Sequence, residues 1–486
     1  MTAAVDEPAA RAIMAVRAIE TTDRERALWS DAERAAVSQE AAVAVGASAR
    51  PERFLAQRAA LALDRIAQRH PAVARTVKAF EWRNWITPAV LVVAFVTGVA
   101  ADRIGAGGRI NILAPPVLGL LAWNLTVYLV LIERWMAGLR TRPRTAPGPL
   151  RRALARLGAR PARLLRAARA GPVAAALRAF TAAWTERAAP LYAARAARIL
   201  HLAAAIFAAG VLTGVYTRGL AFEYRASWES TFLGPETVHA LLALALAPGA
   251  WLSGIAVPDV AHIASIRSGS NPGSENAAPW LHLYAATVLV VVIVPRVALA
   301  LLDGWLERRR GRFVLPLAEP YFRRLLLGFS EGPYRVRVVP YSYSPAPGSD
   351  ETLHTIIARA FGALCEASFA APVPYGGEDA LPDDLVPPDT SLVVALFNAA
   401  ATPEAASHGA FVSALAARGC DVVALVDESA LRARWSDDDA RIAQRRTAWR
   451  DVLTPRNVGV AFVQLAAPDL AAVESELQQA AERAVV

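Results

Sequence analysis

Leu150-Arg-Arg-Ala-Leu-Ala-Arg-Leu-Gly-Ala-Arg-Pro-Ala-Arg-Leu-Leu-Arg-Ala-Ala-Arg169 decides how this chain is organised. On a helix advancing about 100° per residue, Arg151, Arg152, Arg156, Arg160, Arg163, Arg166 and Arg169 fall in one half of the wheel. Leu150, Leu154, Leu157, Leu164 and Leu165 fall in the other. Gly158 and Pro161 weaken that helix without erasing the pattern. The stretch sits inside residues 133–198, which hold fifteen arginines and two acids, Glu133 and Glu186, a net +13 in a chain whose total is +9. Apolar runs flank it on both sides. Short loops rich in Lys and Arg stay on the cytoplasmic side of a membrane, so this block is a topology marker.

Working outward, four apolar runs read as spans: about 85–101, 110–132, 199–216 and 280–302. Trp82, Trp85, Trp135, Trp280 and Trp305 lie at or near their ends, as interfacial aromatics do. A fifth run, 238–257, contains His239, Pro248 and Gly249. If it crossed, the two basic blocks at 133–198 and Arg308–Arg312 would face opposite compartments. It is therefore expected to re-enter or lie on the outer side, within a loop, 217–279, of three arginines and five acids. Both termini are then cytoplasmic. Composition agrees: 55% of residues are hydrophobic and the mean hydropathy is +0.30. The two cysteines, Cys365 and Cys420, suit a reducing compartment.

The predicted organisation is a helical N-terminal region at 1–84, spans one and two within 85–132, the arginine-rich loop at 133–198, spans three and four within 199–302, and a domain at 313–486. In that last region strands are predicted at 334–340, 391–397, 421–426 and 457–464. Helices are predicted at about 350–367, 403–418, 436–453 and 467–484. Strands alternating with helices, and apolar along their length, imply a parallel sheet covered on both faces. The fold class is thus an α-helical multi-pass membrane protein of four transmembrane helices, with a C-terminal cytoplasmic α/β domain of mostly parallel, layered sheet.

Ligands of such sheets sit beyond the carboxyl ends of the strands. Those positions hold Tyr343, Asn398, Asp427, Glu428 and Gln464, and helix-capping loop residues would occupy the same places. Arg296 is the charge within a span. An intramembrane ionisable residue is a functional candidate, against the plainer reading that it snorkels to the headgroups. Gly210 and Gly214 form a GxxxG, which serves close helix packing within the bundle or homodimerisation. His239, His262 and His282, with Glu236, share the outer side, but ordinary interfacial histidines are the simpler reading and no metal site is assigned. Lys78 is the only lysine, which excludes a Walker A loop and a lysine Schiff base. GxGxxG, HExxH and GxSxG are absent at the required places, so no cofactor and no catalytic residue are assigned.

The segments Arg109-Ile-Asn-Ile-Leu-Ala-Pro-Pro-Val-Leu-Gly-Leu-Leu-Ala-Trp-Asn-Leu-Thr-Val-Tyr128, Trp228-Glu-Ser-Thr-Phe-Leu233 and Asn276-Ala-Ala-Pro-Trp-Leu-His-Leu-Tyr284 resemble blocks of an uncharacterised bacterial multi-pass inner-membrane family, a domain of unknown function. The resemblance implies a partner, since members are often encoded beside a predicted GTPase. The leading expectation is an inner-membrane scaffold or regulatory subunit whose cytoplasmic domain binds a soluble protein. A transporter or channel component, and a membrane-tethered ligand-binding or enzymatic α/β domain, are the alternatives. The arginine face is expected to meet anionic headgroups, the acidic C-terminal region (−8 over 313–486) or another protein. Nucleic acid is a poor partner for a basic block flanked by hydrocarbon.

Overall fold

The computed structural model describes residues 3–46, 48–101, 108–113, 115–140, 171–270, 273–329, 332–435 and 438–484. Arg151, Arg152, Arg156, Arg160, Arg163, Arg166 and Arg169 lie outside the described residues, as does the amphipathic helix expected to carry them. The chain divides into two compact units. One combines Met1–Lys78, Pro161–Trp184 and Arg312–Val486; the other combines Ala79–Arg160 and Thr185–Gly311.

Ten strands run through the described residues: β1 (Ala3–Val5), β2 (Arg109–Asn111), β3 (Arg225–Ser227), β4 (Glu275–Asn276), β5 (Phe313–Leu315), β6 (Arg335–Pro340), β7 (Glu366–Phe369), β8 (Leu392–Asn398), β9 (Asp421–Asp427) and β10 (Gly459–Val463). In the first unit β10-β9-β8-β6-β7 form one sheet, parallel throughout. Counted along the domain this is strand order 2-1-3-4-5, a doubly wound arrangement whose switch point lies between β6 and β8. The apolar runs of β8 and β9 explain its centre, because nearly every residue in them is buried. Val339, Phe397, Phe411 and Trp449 pack on one face, while Val338, Leu353, Ile357 and Leu477 pack on the other. Each fully buried aliphatic side chain contributes about 1.5–3 kcal/mol.

One expected helix is shorter than its pattern. The run 350–367 ends at Phe361, because Gly362 sits at φ 102°, a conformation glycine adopts without a Cβ penalty. Four residues later Glu366–Phe369 pairs in parallel with β6 as the sheet edge. The N-terminal residues join this same unit. β1 pairs antiparallel with β5, and Phe54 stacks on Phe329 at 4.3 Å. Four helices fill the N-terminal region: Glu7–Thr22, Asp31–Val45, Pro51–Arg69 and Pro71–Ala79. Ser30 and Glu33 form a reciprocal capping box at the start of the second. Pro51 opens the third, as Arg50-Pro51-Glu52 implies.

The second unit is mostly helical. Two helices are long and apolar enough to cross a membrane, Pro172–Gly219, whose residues up to Trp184 belong to the first unit, and Ala278–Arg310. The other two expected spans correspond to shorter apolar helices, Ile86–Ala101 and Leu118–Glu133. The sixteen residues of Ile86–Ala101 rise only about 24 Å, less than the ~30 Å hydrocarbon core, whereas Leu118–Glu133 is the apolar part of a 26-residue helix, Pro115–Arg140. Two of the four expected spans are thus met by helices both long and apolar enough to cross. The helix Ile86–Ala101 packs on the glycine motif: a Cβ at Gly210 would lie 2.5 Å from the Phe95 carbonyl oxygen, and one at Gly214 would lie 2.8 Å from that of Val99. That face is occupied within the chain, so a homodimer would need another surface.

Residues 238–257 contain most of the helix Pro235–Ser253, which ends where Gly254 turns at φ 73°. Gly249 meets Thr287 of the helix Ala278–Val288 with no room for a side chain. β2, β3 and β4 make a small sheet beside it. Trp228, fully buried, donates its indole N–H to the Ile263 carbonyl at 2.7 Å.

Candidate functional site

At the carboxyl end of the sheet, strand register sets Asn398 opposite Asp427 and Asp427 opposite Val463, so Gln464 follows directly. Tyr343 reaches the same place and donates its hydroxyl to Asp427 Oδ2 at 2.5 Å. Burial, then the Asp427 carboxylate, pushes the tyrosine well above its ordinary value, so it stays a donor. Asp427 Oδ1 accepts from the Ser429 backbone N–H at 3.0 Å, the Ser429 hydroxyl at 2.6 Å and the Leu465 N–H at 3.1 Å. Four donors thus engage this carboxylate, three on Oδ1 and one on Oδ2. Asn398 is equally local, its Oδ1 accepting from the Ala400 N–H at 2.9 Å. The carbonyl of Gln464 closes a turn with the Ala467 N–H.

Glu428 is turned elsewhere. It is 1% exposed, and its oxygens take Arg446 at 2.5 and 2.8 Å and Arg432 at 3.1 Å. The hydrogen bond from Arg446, more than burial opposes it, raises the guanidinium's pKa. The structure therefore joins Tyr343, Asn398, Asp427 and Gln464 into one strand-end group and gives Glu428 to a separate ion-pair cluster.

A second group surrounds the switch point. Tyr341, buried, donates to Glu378 Oε2 at 2.6 Å, a bond that holds the carboxyl below its usual range. The imidazole of His408 lies among Tyr341, Phe397 and Trp449, with centroids at 5.4, 5.6 and 4.9 Å. The Glu404 N–H points at His408 Nδ1 at 3.3 Å. Nδ1 is thereby the acceptor and Nε2 carries the proton. Burial depresses the histidine's pKa, which outweighs Glu404 and Glu378.

In the second unit Arg296 turns into the bundle. Its Nε donates to Asn124 Oδ1 at 2.8 Å, its Nη1 to His201 Nδ1 at 3.1 Å, and its guanidinium lies 5.3 Å from the Tyr128 ring centroid. Since arginine only donates, Nδ1 of His201 accepts, which leaves the Nε2 proton facing Asp303 Oδ2 at 3.6 Å. Asn124, His201 and Arg296 are each 6% exposed or less. One wide π-type turn, Leu289–Ile293, precedes this point. Pro295 has no N–H for the carbonyl four residues earlier, and the Tyr128 hydroxyl bonds that Val291 oxygen at 3.0 Å. The guanidinium is thus held by protein, not extended toward headgroups.

A family model described as "Protein of unknown function (DUF2868)" matches residues 159–481. The chain belongs to the DUF2868 family. No curated protein and no solved structure matches it. The DUF2868 match takes in the whole parallel sheet and, in the bundle, His201, Arg296 and Asp303, while Asn124 and Tyr128 precede it.

Some residues of this DUF2868 chain escape sequence reasoning. His201 and Asn124 sit 95 and 172 positions from Arg296, so no spacing links them. Glu378 and His408 lie in a Pro/Asp-rich loop and at a helix start, where such residues commonly cap. Two of the histidines expected on the outer side take separate partners: His262 Nε2 meets Glu275 at 2.8 Å, and His282 Nδ1 meets the Tyr216 hydroxyl at 2.8 Å. Among the described residues no group of three His, Cys, Asp or Glu converges to hold a metal.

Proposed function

We propose that the chain is a multi-pass inner-membrane scaffold or regulatory subunit, anchored by four spans, whose cytoplasmic body docks a soluble partner. The observation that carries this is connectivity. Met1–Lys78, Pro161–Trp184 and Arg312–Val486 belong to one compact unit. Segments that share one aqueous core lie on one side of a bilayer, so Ala79–Arg160 and Thr185–Gly311 would each cross an even number of times. The arginine block makes that side cytoplasmic. Exposed apolar side chains support lipid contact along the helices, among them Val92, Leu129 and Leu301 at 61, 67 and 71%. The engagement of Asp427 by four donors and of Glu428 by two arginines favours docking over catalysis at the strand ends. A GTPase is the partner the family resemblance implies. The test is GTP hydrolysis by that neighbour, with and without the full chain in liposomes. A change in rate supports the reading, and equal rates count against it.

The buried chain Asn124–Arg296–His201–Asp303 favours a second reading, a transporter or channel component, because polar groups inside a bundle mark solute paths. Liposome flux compared with an Arg296→Ala variant distinguishes the two. A flux that the variant abolishes supports transport, and equal fluxes remove Arg296 from a path.

A further inference from the structure

A cleft of about 350 Å³ opens in the first unit between the helices Asp31–Val45 and Ser349–Phe361. Five guanidinium groups line it, those of Arg26, Arg34, Arg58, Arg324 and Arg359. Only two carboxylates, Glu20 and Asp31, share the lining. Two more acids stand behind it. Asp23 lies 3.6 Å from Arg34, and Glu474 is shared by Arg26, Arg324 and Arg359. Five arginines thus divide four carboxylates.

Donors are in greater surplus than charge. Each guanidinium carries five N–H groups, and a carboxylate accepts at about four positions. Each nitrogen of Arg58 has a partner in Glu20 or the Ser38 hydroxyl. Arg34 differs: its side chain is 9% exposed, its Nε bonds the Trp29 carbonyl, and its buried Nη2 has no hydrogen-bond partner. Arg26, Arg324 and Arg359 converge on Glu474, and Asp31 pairs further with Arg26 at 3.1 Å and Arg359 at 3.4 Å, so two small anions serve three arginines. A larger oxyanion with more acceptors would satisfy them better, because planar forked donors match phosphate oxygens two at a time.

We propose that this cleft binds a small soluble phosphorylated ligand, its phosphate seated against Arg34, Arg324 and Arg359. The volume falls at the lower end of the range for small-molecule sites, roughly 300–1,000 Å³. The walls come from N-terminal and C-terminal parts of the chain, so an occupant ties the two together. The site stands independently of any protein partner.

Calorimetric titration of the full chain in detergent, at constant ionic strength, tests it with inorganic pyrophosphate, inorganic phosphate and a water-soluble short-chain phosphatidic acid. Saturable pyrophosphate binding is expected, weakened at least tenfold by Arg34→Gln and by Arg324→Gln, since each removes charge-assisted bonds. Glu474→Gln removes one competing anion and is expected to tighten binding. A site of purely structural ion pairs gives no such gain, so unchanged or weaker binding by Glu474→Gln overturns the proposal even where the arginine variants fail to fold. Absence of saturable pyrophosphate binding also overturns it. Phosphatidic acid binding tighter than pyrophosphate overturns the soluble source and reassigns the site to a lipid headgroup.

Discussion

Glu20 and Arg58 meet in a two-pronged ion pair at 2.7 and 3.3 Å, with 2 and 4% of their side chains exposed. The Tyr321 hydroxyl donates to the same carboxylate at 2.7 Å. Three distant parts of the chain therefore share one buried charge. Burial alone would raise the Glu20 pKa, but Arg58, by charge and hydrogen bond, then Tyr321 and Arg324, leave it below its ordinary value.

The sign of the pH dependence follows. A carboxyl depressed in the folded state contributes stability above its unfolded value, about 4.3, and loses it as pH falls through the folded value. Denaturation followed by tryptophan fluorescence should show this loss in the wild type below about pH 4.3 and a smaller loss in Glu20→Gln. Arg58→Met should cost about 3–5 kcal/mol at pH 7, since it strands a buried charge. A cost under about 1 kcal/mol would match an exposed pair instead.

At the strand ends, Asp427→Ala should destabilise by about 2–4 kcal/mol, because it leaves the Tyr343 hydroxyl and the Ser429 and Leu465 N–H groups without their acceptor. Tyr343→Phe removes one bond to a charged group and should cost about 1.5–3 kcal/mol. Urea titration of both variants measures this. Near-zero cost for Asp427→Ala would free that carboxylate for a role in binding or chemistry.

Helix packing in the second unit is tested at Gly210. Gly210→Leu drives a side chain into the Phe95 carbonyl, and overpacking of this kind costs typically about 1–3 kcal/mol or more. Thermal unfolding in detergent should fall clearly. Gly119→Leu, at a position with nothing within 4 Å, is the matched control.

Cys365 should resist alkylation. Burial pushes its thiol up to about 12, so the thiolate that reacts is scarce at pH 8. Burial raises Cys420 as well. In a Cys420→Ser background, iodoacetamide should label the folded chain far more slowly than the urea-unfolded chain. Equal rates would contradict the burial of Cys365.

Physical reasons separate what the sequence discloses from what it hides. β8 and β9 are legible because a strand covered on both faces is apolar along its length. β7 is not, since Glu366-Ala-Ser-Phe369 is short and half exposed; only Gly362, as a helix stop, hints that a new element follows. Arg296 stands out because charge is rare in an apolar run. Its partners do not, because Asn124 and His201 read as ordinary residues until folding brings them together. Tyr343, Asn398, Asp427 and Gln464 are found by strand-end position, but the hold of Ser429 and Leu465 on Asp427 depends on side-chain and turn geometry. The joining of the N-terminal helices to the C-terminal domain through β1 and β5 rests on three-residue strands with no sequence signature.

On the proposed reading, both flanks of the apolar helices form one cytoplasmic body that docks a soluble protein. The most direct measurement is the mass of the complex isolated in mild detergent from its own membranes, with each component identified and its GTP hydrolysis assayed. The account predicts a stoichiometric soluble GTPase bound to the full chain. Recovery of the chain alone, with no GTPase activity associated, would contradict it.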